Sequence, residues 1–201
     1  FGNTFTIDRV KPTVTSIGTR YVKGSVATVV NGTGFTTNGN ATALSLGGEP
    51  ISTSAEGSWT PNSDTKITFS PNTTEFTDAN VTVTDVAGNT STATGQFVTV
   101  DNTDPVISQI DDNSAPYIFK SGTQFQIKYT GGTAAERYTG GSGTSSSSGD
   151  LQIRINNAWP TGMTASVAAS AITLTAGAGE TNGAVKVFDR SGNSVEAAGP
   201  V

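Results

Sequence analysis

FGNTFTIDRVKPTVTSI, residues 1–17, and FVTVDNTDPVISQI, residues 97–110, are two copies of one pattern. With Asp8 set on Asp101, Pro12 falls on Pro105, Val14 on Ile107 and Ile17 on Ile110. In each copy an alternating apolar stretch ends at Asp, a short linker closes on Pro, and a second alternating stretch begins. A period of two marks strands with one buried face. In the middle of the chain the pattern is a junction, the last strand of one domain running into the first strand of the next. The copy at residues 1–17 then reads as a last strand belonging to a domain other than the one it precedes.

The distance from Pro12 to Pro105 implies two domains of roughly a hundred residues each, within the ordinary size range. The boundaries expected are a leading strand and linker over 1–10, a first domain over 11–101 and a second over 102–201. Only 13% of the 201 residues are charged, and the polar remainder is rich in Thr, Ser, Asn and Gly. That mixture suits short strands joined by polar turns. Cys and His are both absent, which removes disulfides, thiol and imidazole catalysis and the usual zinc and transition-metal ligands. A net charge of −5 with 11 Lys and Arg argues against a nucleic-acid surface, which needs clustered positive charge. No apolar run is long enough to form a membrane-spanning helix, and no signal peptide is present, so a chain starting at Phe1 reads as a mature product or an excised fragment. The acidic, Thr-rich, cysteine-free profile is common in secreted bacterial surface proteins, and by that compositional association an extracellular location is expected.

Strands are expected at 13–17, with Val14 and Ile17 or their neighbours inward, and at 25–31, 42–46, 66–70, 80–84 and 96–100. The segment 51–59 is hard to read. Gly34 is expected in a conformation that other residues resist, after which Phe35 re-enters the core. The second half repeats the plan at 106–110, 123–129, 151–155, 171–175 and 184–188. About seven short strands per domain with regular turn signals and no helical period describe an all-β fold of two tandem β-sandwiches. The Gly- and Ser-rich run 131–150 reads as a mobile surface loop. It lacks the strand-to-helix context and the Gly-Lys-Ser/Thr of a phosphate-binding loop.

The tail differs from the first domain. There, DVAGN at 85–89 is followed by TSTATGQFVTVD, which returns as the final strand; DRSGN at 189–193 is followed by SVEAAGPV alone. The second domain is expected to lack its last strand, and an uncovered sheet edge templates association. A strand that would complete it lies at the other end of the chain, in Thr4, Phe5, Thr6, Ile7 and Asp8. Written tail to head, SVEAAGPV followed by FGNTFTID restores the first domain's pattern.

These features resemble the bacterial immunoglobulin-like domains found in tandem in surface adhesins and large extracellular proteins. VTVTDVAGNT at 81–90, AVKVFDRSGN at 184–193 and the Asp-x3-Pro linkers carry the resemblance, and GSVATVVNGTGF at 24–35 is similar to the early strands of IPT/TIG-type domains. The resemblance implies spacer, adhesin or structural roles and names no ligand. Similar domains use calcium at their junctions, so Asp8, Asp85, Asn89, Asp101, Asp104, Asp189 and Asn193 are candidate Ca²⁺ ligands, oxygen donors of the kind a hard cation takes. The alternative is that each Asp caps its own turn.

A hydrolytic acid pair finds little support, because Glu49, Glu56, Glu75, Glu136, Glu180 and Glu196 fall in expected loops or turns without a repeated aromatic platform. No enzymatic activity is expected. Trp59 and Trp159 read as core or rim aromatics that could also stack on a sugar. Asn-x-Ser/Thr occurs at Asn31, Asn40, Asn72, Asn80 and Asn89, as chance allows in so Thr-rich a chain. The reading that follows is a structural subunit of an extracellular or pilus-like filament, its partners copies of itself joined by donor-strand complementation. The alternatives are two repeats of a long covalent adhesin and a ligand-binding adhesin module with a cell-surface or glycan ligand.

Overall fold

The computed structural model describes residues 5–91, 95–110, 122, 124–130, 152–155, 164–167, 171–175, 185–189 and 191–196. The chain divides into two compact units, Phe1–Asn102 and Thr103–Val201. Every regular element among the described residues is a strand.

Unit 1 contains β1 (Thr13–Ile17), β2 (Tyr21–Val22), β3 (Thr28–Thr33), β4 (Ala43–Leu46), β5 (Glu49–Pro50), β6 (Gly57–Ser63), β7 (Lys66–Pro71), β8 (Phe76–Thr84) and β9 (Phe97–Val100). One sheet runs β1-β3-β7-β6 and the other β2-β9-β8-β4-β5. Strands with strict alternation bury alternate residues: Leu44 and Leu46 on β4, Ile67 and Phe69 on β7, Val81 and Val83 on β8. These meet Val14, Val30, Val98 and Val100 in one core between the sheets. The first strand is divided, β1 pairing antiparallel with β3 while β2 crosses to the other sheet and pairs parallel with β9. Two face-packed sheets with this strand order make an immunoglobulin-like β-sandwich.

Val14 and Ile17 are three apart, which a regular strand cannot put on one face. A bulge resolves the conflict: the register shifts between Val14 and Ser16, so that Val14 is buried and Ile17 packs against the core. The extra residue of a bulge inverts the alternation beyond it. Unit 2 has the same shift between Ile107 and Gln109, so the repeated sequence is also a repeated irregularity.

Unit 2 contains β10 (Val106–Ile110), β11 (Gln124–Thr130), β12 (Gln152–Ile155), β13 (Thr164–Val167), β14 (Ala171–Thr175), β15 (Val185–Phe188) and β16 (Ser194–Glu196). Its sheets are β10-β11-β14-β13 and β12-β15-β16. The order matches β1-β3-β7-β6 and β4-β8 of unit 1.

The strands read from sequence are present, with several additions. β2, β5, β6, β13 and β16 were not expected, and β8 starts four residues earlier than the alternation at 80–84 suggests, beyond a register shift between Phe76 and Ala79. β16 matters most, because residues after the 189–193 turn do pair with β15, Phe188 with Ser194 and Lys186 with Glu196. Residues 197–201, the loop 131–150, Thr4, Trp159, Glu136 and Glu180 lie outside the described residues.

Gly34 has φ +76° and Phe35, next to it, is fully buried. The ring enters the core directly after the turn. Truncating so large a buried side chain loses both transfer energy and packing, so Phe35→Ala is expected to destabilise unit 1 by about 3–5 kcal/mol. Thermal or urea unfolding of the full chain checks this, with the transition of unit 1 moving and that of unit 2 unchanged.

Candidate functional site

The site is the segment entering unit 1, residues 5–12, together with the turn it meets. Residues 5–8 form no strand within this chain. Phe5 is 85% and Ile7 67% exposed. The reason is positional: in the alignment on Asp8 and Asp101, Phe5 and Ile7 match Val98 and Val100, and β9 itself already occupies that place in unit 1. Val98 and Val100 are each 1% exposed. β9 is hydrogen-bonded on both sides, antiparallel to β8 with Val98 opposite Ala79, and parallel to β2 with Val100 opposite Val22.

The partner turn is Asp85-Val86-Ala87-Gly88-Asn89. Asp85 is buried; its Oδ1 accepts the N–H groups of Ala87 at 2.9 Å and Asn89 at 2.8 Å, and its Oδ2 accepts the Asn89 amide at 2.9 Å. Gly88 takes φ +86°, a left-handed conformation that glycine adopts without steric cost. The 189–193 turn is built the same way. Asn193 donates its N–H to Asp189 Oδ1 and its amide to Asp189 Oδ2, each at 2.8 Å, and Gly192 has φ +88°. Two sequence repeats have produced one five-residue turn twice.

From this turn Asn89 Nδ2 also reaches the entering segment, donating to the carbonyls of Asp8 at 3.3 Å and Val10 at 3.5 Å. Asp8 ties the segment a second way. Its Oδ1 accepts the Val10 N–H at 2.9 Å and its Oδ2 the Asn38 amide at 3.1 Å. These two bonds, Val10 first, hold the Asp8 carboxyl below its ordinary pKa. Asn38, with φ +62°, sits beside a loop fixed by Asp64. The Asp64 carboxylate accepts the Thr37 hydroxyl at 2.7 Å and the N–H groups of Thr36 and Gly34, which together lower its pKa.

The turn at 85–89 and the linker at 8–10 are thus together. In unit 2, Ser194 N–H donates to Asp104 Oδ1 at 3.2 Å, which places Asp104 beside the 189–193 turn. Asp101 is buried, and its N–H donates to the Val22 carbonyl at 3.0 Å. Among the described residues no group of three or more carboxylates converges in a way that could hold a metal ion. Glu56 caps its own turn through the N–H groups of Ser52 and Thr53, and Glu75 accepts the Asn102 N–H. Trp59 lies partly buried against the core with its indole N–H on the Ile51 carbonyl at 3.3 Å.

Three residues that fix loops of unit 1, Asn38 alone touching the site directly, were not singled out in the sequence. Asn38 precedes Gly39, and that dipeptide is a turn signal which could have marked it. Asp64 and Asn102 act on partners far along the chain, Asn102 accepting the Gly24 N–H at 2.6 Å and donating to the carbonyls of Asn72 and Thr73. No local spacing announces such contacts.

No protein-family model matches the sequence, and neither does any curated protein. Solved structures similar to the model include the surface glycan-binding protein PbSGBP-B from Prevotella bryantii, with 16% identity, a TM-score of 0.37, and 95% of this chain and 42% of that one covered. The Bacteroides ovatus SGBP-B of a mixed-linkage glucan utilization locus, in complex with a mixed-linkage heptasaccharide, gives 19%, 0.31, 88% and 39%. The titin I-band fragment I67–I69 gives 12%, 0.40, 94% and 62%. The chain spans less than two thirds of each of these, and at these TM-scores the likeness carries nothing about role. The protein is an all-β chain of two immunoglobulin-like units, and no helix among its described residues is long and apolar enough to cross a membrane.

Because the folded-state pKa of Asp64 is depressed, its stabilising effect is complete above the unfolded value, near 4, and is lost as pH falls through the lower folded value. Unfolding midpoints measured between pH 7 and pH 2 are expected to fall below about pH 4 in the parent chain. Asp64→Asn is expected to start lower at pH 7 and to fall less steeply in acid.

Proposed function

We propose that this chain is a module of an extracellular fibre or surface array, in which residues 4–8 complete the second unit of the neighbouring module. The observation that supports the reading most is the contrast between Phe5 and Ile7, exposed here, and their repeat partners Val98 and Val100, buried in β9. A strand in the position of β9 gains two ladders of backbone hydrogen bonds and a core face for alternate side chains, which is the strand-addition mode of recognition. Burial of Phe5 and Ile7 contributes roughly 1.5–3 kcal/mol each.

The donor segment and its acceptor lie at opposite ends of the chain, so the contact is heterologous and propagates as an open filament. In a covalent array the same strand is delivered through a peptide bond. In a polymer of separate subunits it is delivered by another copy. Intact mass of native material separates the two: a species near 20.4 kDa indicates separate subunits, and a much larger chain indicates a covalent series. Glycan binding, for which the bacterial neighbours are named, is the reading to set beside these. Loss of retention on immobilised glycan when residues 139–149 are deleted would favour it.

Purified full-length chain is expected to form concentration-dependent oligomers or fibres by light scattering and electron microscopy, and the double variant Phe5→Ser/Ile7→Ser to remain monomeric. A parent chain that stays monomeric at every concentration, and whose native form is no larger, would defeat strand addition in both its forms.

A further inference from the structure

The Asp-x3-Pro linker and the Asp-x-x-Gly-Asn turn occur together in both units, and in both the described contacts join them. In unit 1 the Asn89 amide donates to the carbonyls of Asp8 and Val10. In unit 2 the N–H just after the turn, that of Ser194, donates to Asp104 in the linker. The turn is rigid enough to serve as an anchor, since Asp85 holds both the backbone and the side-chain amide of Asn89, and Asp189 holds Asn193 in the same way. A side-chain amide fixed by one hydrogen bond presents its other N–H in a set direction.

We propose that this turn is a linker clamp, in which Asn89 is the positioning residue that fixes the path of the chain entering unit 1. The clamp divides the leading segment in two. Residues 8–10 are tied down by Asn89 and, through the Asp8 side chain, by Asn38, whereas Phe5 and Ile7 beyond them stand exposed. Two carbonyls two residues apart, held by one amide, define both a position and a direction for the backbone. The bond to the Asp8 carbonyl is part-buried and that to the Val10 carbonyl exposed, and both lie outside the apolar core. Their effect is to restrict where the preceding segment can go. The inference concerns the isolated chain and holds whether or not residues 4–8 enter a neighbour.

The test is ¹⁵N relaxation of the full-length chain. In the parent protein the heteronuclear NOE of Val10 should match that of the β8 amides of Val81 and Val83, with a drop at Phe5. In Asn89→Ala the value at Val10 should fall to that of Phe5, while Val81 and Val83 stay as in the parent; the thermal midpoint of unit 1 falls as well, because the buried Asp85 Oδ2 loses its donor, and it is not the readout. If Asn89→Ala unfolds unit 1, Asn89→Ser is read instead; its hydroxyl is too short to reach the two carbonyls, so the same loss of order at Val10 is expected. Retention of the parent value at Val10 in the folded variant overturns the clamp. So does a loss at Val10 that occurs only together with loosening of Val81 and Val83, because that is what a turn with a purely structural role would give.

Discussion

The fold of unit 1 depends on a last strand that is bonded along both edges. β9 lies between β8 and β2, and the split of the first strand makes this possible: β1 stays paired with β3 as far as Ile17, and the chain then crosses to pair with β9 at Tyr21 and Val22. A strand so placed closes the core, since Val98, Thr99 and Val100 are all buried. This gives significance to the exposed Phe5 and Ile7, which repeat the β9 pattern outside any sheet.

The same physical economy governs the polar contacts. Buried or half-buried carboxylates accept hydrogen bonds from nearby N–H groups and amides, and each such cluster does a mechanical job. Asp85 shapes a turn, Asp64 holds the loop that leads Phe35 into the core, and Asp8 secures the linker. The Asp85 carboxylate accepts N–H groups of its own turn, the capping role of an Asp-x-x-Gly-Asn sequence.

Much of this could be read from residues alone, and the failures have causes. Strict alternation at 43–46, 66–70 and 80–84 located β4, β7 and the inner half of β8. Recurrence of Asp-x-x-Gly-Asn located the paired turns, and the Asp-x3-Pro repeat located the linkers. β6 escaped because neither of its faces is wholly buried and Pro61 interrupts its residue pattern. β2 is two residues long, too short for any period to register. Asn38, Asp64 and Asn102 escaped because their meaning lies in partners brought near only by folding. The bulge in β1 could be seen in hindsight, since Val14 and Ile17 cannot share a face of an unbroken strand.

Arg20 adds a final consequence. Its guanidinium lies 5.3 Å from the ring centre of Phe97 and 5.5 Å from that of Tyr21, and pairs with Asp78 at 2.9 Å, stitching the start of β9 to strands on either side of it. At the position of Phe97 the leading segment carries Thr4, which offers no ring. The contacts that fasten the start of β9 are therefore ones the leading segment does not repeat, and its likeness to β9 is confined to Phe5–Asp8.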